Sequence, residues 1–112
     1  MKKLGLEPGV PVLVYLHSPR EKVFGMLLSL DQSGISVRGL DIVSLEDWMR
    51  QEMRGETSGL GLASAFYPMW RIERMERDES TDELEGLADR FEGATGRRFS
   101  EAAGISPRRK KR

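Results

Sequence analysis

Three short apolar runs, each closed by a tight polar turn, constrain this chain more than any other feature. They are residues 10–17 (VPVLVYLH), 22–30 (KVFGMLLSL) and 35–40 (ISVRGL), separated by Ser18-Pro19-Arg20-Glu21 and Asp31-Gln32-Ser33-Gly34. The runs are strand-length and rich in β-branched and aromatic residues, and the turns are too short for crossover connections. They therefore predict an antiparallel meander. Alternation puts Val12, Val14 and Leu16 on one face of the first strand and Leu13, Tyr15 and His17 on the other. Glycine inside a strand marks a bend or a close backbone approach, so Gly25 predicts a corner in the second strand. Asp31 and Gly34 serve the turn, Asp by accepting backbone hydrogen bonds and Gly by supplying positive φ.

The period then changes. Leu45, Trp48, Met49 and Met53 share one helix face, with Ser44 as N-cap, Asp47 as a weaker form of the capping box and Gly55 as the stop. This predicts a short helix over 45–54, followed by a flexible connection over 55–62. The segment FYPMWRIERM leaves two options open. Phe66, Tyr67 and Ile72 favour strand, whereas Met69, Ile72 and Met75, three apart, fit a helix. A second helix is expected over 80–96, capped by Ser80 or Thr81, with Leu84, Leu87, Ala88, Phe91 and Ala94 on one side and Gly96 at its end. Residues 1–9 read as a lead-in, and 97–112 as a basic tail without fixed structure apart from a helical turn near 100–103.

Net charge is zero, with 18 basic and 18 acidic side chains, but the charges fall in blocks. Residues 1–75 are neutral, 76–92 carry minus six and 93–112 carry plus six. The tail Arg108-Arg109-Lys110-Lys111-Arg112 can meet nucleic-acid phosphates, or it can meet the chain's own acidic segment. There is no cysteine and one histidine, which excludes disulfides, thiolate metal sites and cysteine nucleophiles and leaves no residue set for a triad. No cofactor, no metal and no enzymatic activity are expected. No run approaches the roughly 20 apolar residues of a membrane helix, and the N-terminus lacks the apolar stretch of a signal peptide. No membrane contact and a cytoplasmic location are the expectation.

The stretch PVLVYLHSPREKVFGMLLSLDQSGISV resembles the first motif of Sm-like proteins: strand, bent strand with a glycine, an apolar residue before Asp, then a third strand. Ser29-Leu30-Asp31-Gln32 and Tyr15-Leu16 look most like the bacterial Hfq type. The resemblance implies two further short strands, and so favours strands at Phe66–Tyr67 and Arg71–Met75. It implies a mainly β fold: a strongly bent five-stranded antiparallel barrel over 10–78, with the 45–54 helix inserted and an amphipathic helix after it. It also implies a homo-oligomeric ring closed by strand four of one copy on strand five of the next, with single-stranded RNA as ligand. The chain departs from the pattern at the contacts that read bases. It has no Asn, Ile35 standing in that place; Ser33 stands where an aromatic stacks on uracil; Pro68-Met69 replace a Lys-His pair.

Two functions follow as expectations. The first is a non-catalytic Sm-like RNA-binding oligomer, with Gln32, Arg38, Tyr67, Arg108, Arg109, Lys110, Lys111 and Arg112 as candidate contacts. The second is an oligomeric scaffold or protein-interaction module that keeps the barrel and has lost base binding. Trp48, Phe66, Tyr67, Ile72 and Phe91 are the candidate oligomer or partner contacts, and Tyr67 and Trp70 are candidates for base stacking.

Overall fold

The computed structural model describes residues 5–55 and 61–105. Strands β1 (Pro11–Leu16), β2 (Glu21–Asp31), β3 (Gly34–Asp41), β4 (Ala63–Pro68) and β5 (Ile72–Arg77) form one antiparallel sheet in the order β4-β3-β2-β1-β5. Helices α1 (Leu45–Met53), α2 (Leu87–Thr95) and α3 (Phe99–Ala102) complete the fold. The alternation expected in β1 is present: Val12, Val14 and Leu16 are buried in one core, while Leu13 packs toward the other.

The connection between β4 and β5 dictates the curvature. In a flat five-stranded sheet the two edges would stand roughly 19 Å apart. Here a single 3-10 turn, Met69–Arg71, joins them. Such a turn advances only about 2 Å per residue, or about 8 Å from Pro68 to Ile72. The sheet must therefore curl until its edges approach. Its inner face holds Val12, Val14, Leu16, Val23, Leu27, Ile35 and Val37, with Tyr67 from one edge and Ile72 and Met75 from the other packed against them.

The bend is made where two glycines meet. Gly25 on β2 lies opposite Gly39 on β3. A Cβ on Gly39 would come 2.1 Å from the Phe24 carbonyl oxygen, and one on Gly25 would come 2.4 Å from the Arg38 oxygen. Farther along β2 the register shifts between Leu27 and Ser29, a bulge that adds local twist.

The expected strongly bent five-stranded barrel is found as a curled sheet that does not close into a barrel. β4 pairs only with β3 and β5 only with β1, so the sheet remains open. The residues that span the gap are in the 3-10 turn and present no strand ladder. Arg71 anchors that turn to the β1–β2 corner, donating to the carbonyls of His17 (3.1 Å) and Pro19 (2.7 Å).

The outer face is covered by the helices. Phe24, Met26 and Leu40 of the sheet meet Leu45, Trp48, Met49, Phe91, Phe99 and Ala103. Three expectations for the helices change. Ser44 makes no cap hydrogen bond, because α1 continues directly from a 3-10 turn, Ile42–Ser44. The second helix starts at Leu87, not at 80–82. Thr81 Oγ instead accepts from the N–H groups of Glu83 and Leu84, closing a separate turn. The helix is capped from the sheet: buried Asp78, just beyond β5, accepts from Leu87 N (2.7 Å) and Ala88 N (2.9 Å). Finally, the first part of the expected tail is folded, since Phe99 and Ala103 are in the outer core.

This packing sets the cost of three substitutions. Gly39→Ala should destabilise by about 1–3 kcal/mol, because backbone rather than a mobile side chain occupies the space; urea unfolding measures it. Asp78→Ala should cost about 1–3 kcal/mol through two orphaned, charge-assisted caps. Thr81→Ala, at an exposed turn, should cost less than about 0.5 kcal/mol.

Candidate functional site

The sequence-derived contacts do not converge on one pocket. Gln32 is exposed at the tip of the β2–β3 turn. Asp31 beside it is used internally: its Oδ1 accepts from Ser33 N (2.8 Å) and Ser33 Oγ (2.7 Å), which holds its carboxyl below the usual range. Tyr67 pairs with Ile35 and packs on the inner core. Arg38 alternates to the opposite, outer face, where its Nε donates to the Ala103 carbonyl at 3.0 Å. Arg108, Arg109, Lys110, Lys111 and Arg112 lie outside the described residues.

Two candidate partner contacts are internal. Trp48 and Phe91 stack on each other, ring centroids 4.9 Å apart and planes within 11°, and both are buried. Phe99 meets each of them edge-on. Removing either ring opens a cavity in the outer core instead of stripping a binding surface. Ile72 is half-buried against the inner core. Phe66, by contrast, is 55% exposed.

The accessible features gather along the β4 edge. The Met69 N–H donates to the Ser33 carbonyl at 2.9 Å. With Gly34 opposite Pro68, that bond identifies Gly34–Pro68 as a pair whose own backbone groups do not bond each other. Alternation then turns the N–H and C=O of Tyr67 and Ala65 toward β3, and those of Ser64 and Phe66, with the Pro68 carbonyl, toward the open edge. The same reasoning applies to β5. Asp78 N bonds to the Pro11 carbonyl at 2.9 Å beside the Val12–Arg77 pair, so the backbone groups of Met75 and Arg77 face outward.

Exposed apolar side chains accompany the β4 edge. Phe66 lies over Gly34, where an added Cβ would be 2.8 Å from its Cζ. Met69 follows at the same corner, and Trp70 is 65% exposed, with His17 set edge-on to it at 6.3 Å. Leu30, opposite Ile35, is also exposed. Sequence reading treated Phe66 as a contact and Trp70 as a stacking residue, but passed over Met69 and Leu30. The only signal for the edge was Pro68, since proline in a strand is confined to edges, ends and bulges.

The outer face of β1 carries a different arrangement. Tyr15 sits between Lys22 and Arg74 in register. The Arg74 guanidinium is 4.2 Å from the ring centroid and the Lys22 ammonium 4.9 Å. Arg74 also pairs with Glu76 at 3.1 Å, and Tyr15 donates to Glu76. The neighbouring groove, about 490 Å³, is lined by Arg20 and Lys22 but also by Glu21, Asp41 and Glu73. That mixture gives no net attraction for phosphate. Among the described residues no group of three His, Asp or Glu side chains could hold a metal ion, and no helix is long and apolar enough to cross a membrane.

Comparison with family models, with curated proteins and with solved structures found no match to this chain.

Burial and the charges of Glu21 and Asp41 push the Tyr67 phenol above the ordinary tyrosine value, against a smaller opposing effect of Arg71. The neutral phenol is therefore favoured in the folded chain. Its stabilisation is complete below the unfolded-state value and is lost as pH rises through the folded one. An ultraviolet difference titration of wild type against Tyr67→Phe should show one phenol ionising late. A Tyr67 that titrates at the ordinary value would contradict its inward placement.

Proposed function

We propose that this chain is a non-catalytic, Sm-like module that assembles with copies of itself through its two sheet edges, β4 of one copy against β5 of the next. The observation that carries the reading is the pair of open edges: the outward backbone groups of Ser64 and Phe66, and of Met75 and Arg77, have no backbone partner among the described residues. Strand edges of this kind are templates for pairing with another chain. The exposed Phe66, Met69 and Trp70 add the apolar area that such contacts bury. The strand order, the glycine bend and the short turn from β4 to β5 support the Sm-like part of the reading, as does the motif over 11–37. A ring of six or seven copies is what that family would build.

Contact with single-stranded RNA is a second reading, favoured by the exposure of Gln32 at the turn and by the basic run 108–112. The dispersal of Arg38 and Tyr67 to opposite faces weighs against a base pocket on the barrel and for the scaffold. Fluorescence anisotropy with U-rich and mixed RNA tests it. Sequence-dependent binding that survives loss of residues 108–112 would restore the pocket.

Light scattering coupled to gel filtration tests the assembly. The full chain should run at a fixed multiple of its 12.7 kDa protomer mass. Phe66→Pro removes one outward donor without touching the β3–β4 ladder, so it should yield folded protomers with an unchanged circular dichroism spectrum. Ala65→Pro, whose N–H faces β3, should instead destabilise the protomer. A monomeric wild type, or an assembly indifferent to Phe66→Pro, would overturn the proposal.

A further inference from the structure

Trp70 stands where the two sheet edges meet, in the 3-10 turn between β4 and β5, and most of its surface is exposed. His17 meets the indole edge-on at 6.3 Å, and no other ring among the described residues touches it. An indole is a large apolar plate with one N–H, which donates and accepts nothing. Exposed tryptophans of this kind are the side chains that interfaces use as anchors.

The groove beside Tyr15 answers that chemistry. It encloses about 490 Å³ between the β1–β2 corner and the 3-10 turn Ile42–Ser44. Sites that take ring-sized groups enclose roughly 300–1,000 Å³. Val43, 82% exposed, and Ile42 form an apolar wall. The carboxylates of Asp41 and Glu73 accept no hydrogen bond among the described residues, so either can receive an indole N–H. Arg20 and Lys22 supply cations for the ring face. The mixture that fails to attract phosphate thus suits a neutral ring with one donor.

We infer that Trp70 of one copy seats in this groove of the next. The inference rests on the assembly reading, and the proposed interface leads to it. An antiparallel ladder that opposes Phe66 to Met75 of the next copy also opposes Ser64 to Arg77, so the outward N–H and C=O groups at all four positions are engaged. That register brings Pro68 to the first residues of the neighbouring β5. Trp70 follows Pro68 by two residues, and Glu73 belongs both to β5 and to the groove. An anchor on one side of each copy and a socket on another make the contact head-to-tail, as a ring requires.

Light scattering on two variants of the full chain tests it. Trp70→Ala removes the anchor, and Val43→Glu sets a carboxylate against the negative face of the ring. Both positions are exposed, so each variant should keep the wild-type circular dichroism spectrum. Each alone should raise the concentration at which the assembly dissociates by at least roughly 30-fold, the loss expected for a buried aromatic anchor. Mixed in equal amounts, the two should form a 1:1 dimer and nothing larger. One intact anchor then meets one intact groove, and the dimer carries a missing anchor at one end and a blocked groove at the other. Variants that assemble as wild type does, while Phe66→Pro dissociates, would overturn the inference and leave the edge reading standing. Variants that dissociate singly and stay apart when mixed would overturn it too, since Trp70 would then act within its own protomer. A monomeric wild type would overturn both.

Discussion

Gly25 and Gly39 face each other across β2 and β3 with no space for one more carbon on either. That close approach lets the two longest strands bend together, and the bend brings both sheet edges within reach of one 3-10 turn. The inner core depends on the same feature. Tyr67 from β4 and Ile72 and Met75 from β5 reach a common apolar centre only because the sheet curls around it. A side chain on either glycine would have to push the two backbones apart at the bend.

The outer core is held differently. A small sheet covered on its convex face needs helices, and these helices are too short to be stable alone. They are tied down by tertiary contacts: Asp78 caps α2 from the end of β5, Arg38 reaches the end of α3, and Glu52 and Glu46 on α1 pair with Arg97 and Arg90. The exposed pair of Glu46 and Arg90 contributes little, whereas Glu52 in the other pair is itself buried. The buried cap at Asp78 and the stacked rings of Trp48 and Phe91 contribute more, since they are shielded from solvent. Trp48, Phe91 and Phe99 are thus consumed by the fold. Among the described residues, the surface left for other molecules includes the β4 edge with its 3-10 turn and the β5 edge.

The meander was legible because its signals are local. Alternation in 10–17, the turn chemistry of Asp31 to Gly34 and the glycine at position 25 each act within a few residues, and each matches the observed strands. The α1 face was legible for the same reason at Leu45, Trp48 and Met49, but not at Met53, which is exposed while Glu52 is buried in its stead. The start of α2 was not, because its cap comes from Asp78, nine residues before Leu87, while Thr81 offers a plausible local cap that closes a separate turn. Phe99 was passed over because it sits among arginines, although Phe99, Ala102 and Ala103 carry helical spacing. The candidate contacts fared unevenly. Arg38 and Tyr67 look alike as exposed possibilities in a linear string, yet strand alternation sends them to opposite faces.

Local chemistry was therefore enough to specify the first three strands, where their turns lie and which side of β1 is buried, since these depend on neighbours in the chain; it left residues 66–75 open between strand and helix. Closure and exposure were decided in three dimensions. Whether β4 meets β5, whether Trp48 faces a partner or Phe91, and which backbone groups remain free at an edge depend on residues distant in sequence. The deciding quantities are the distance that one short turn can span and the space left between two glycines.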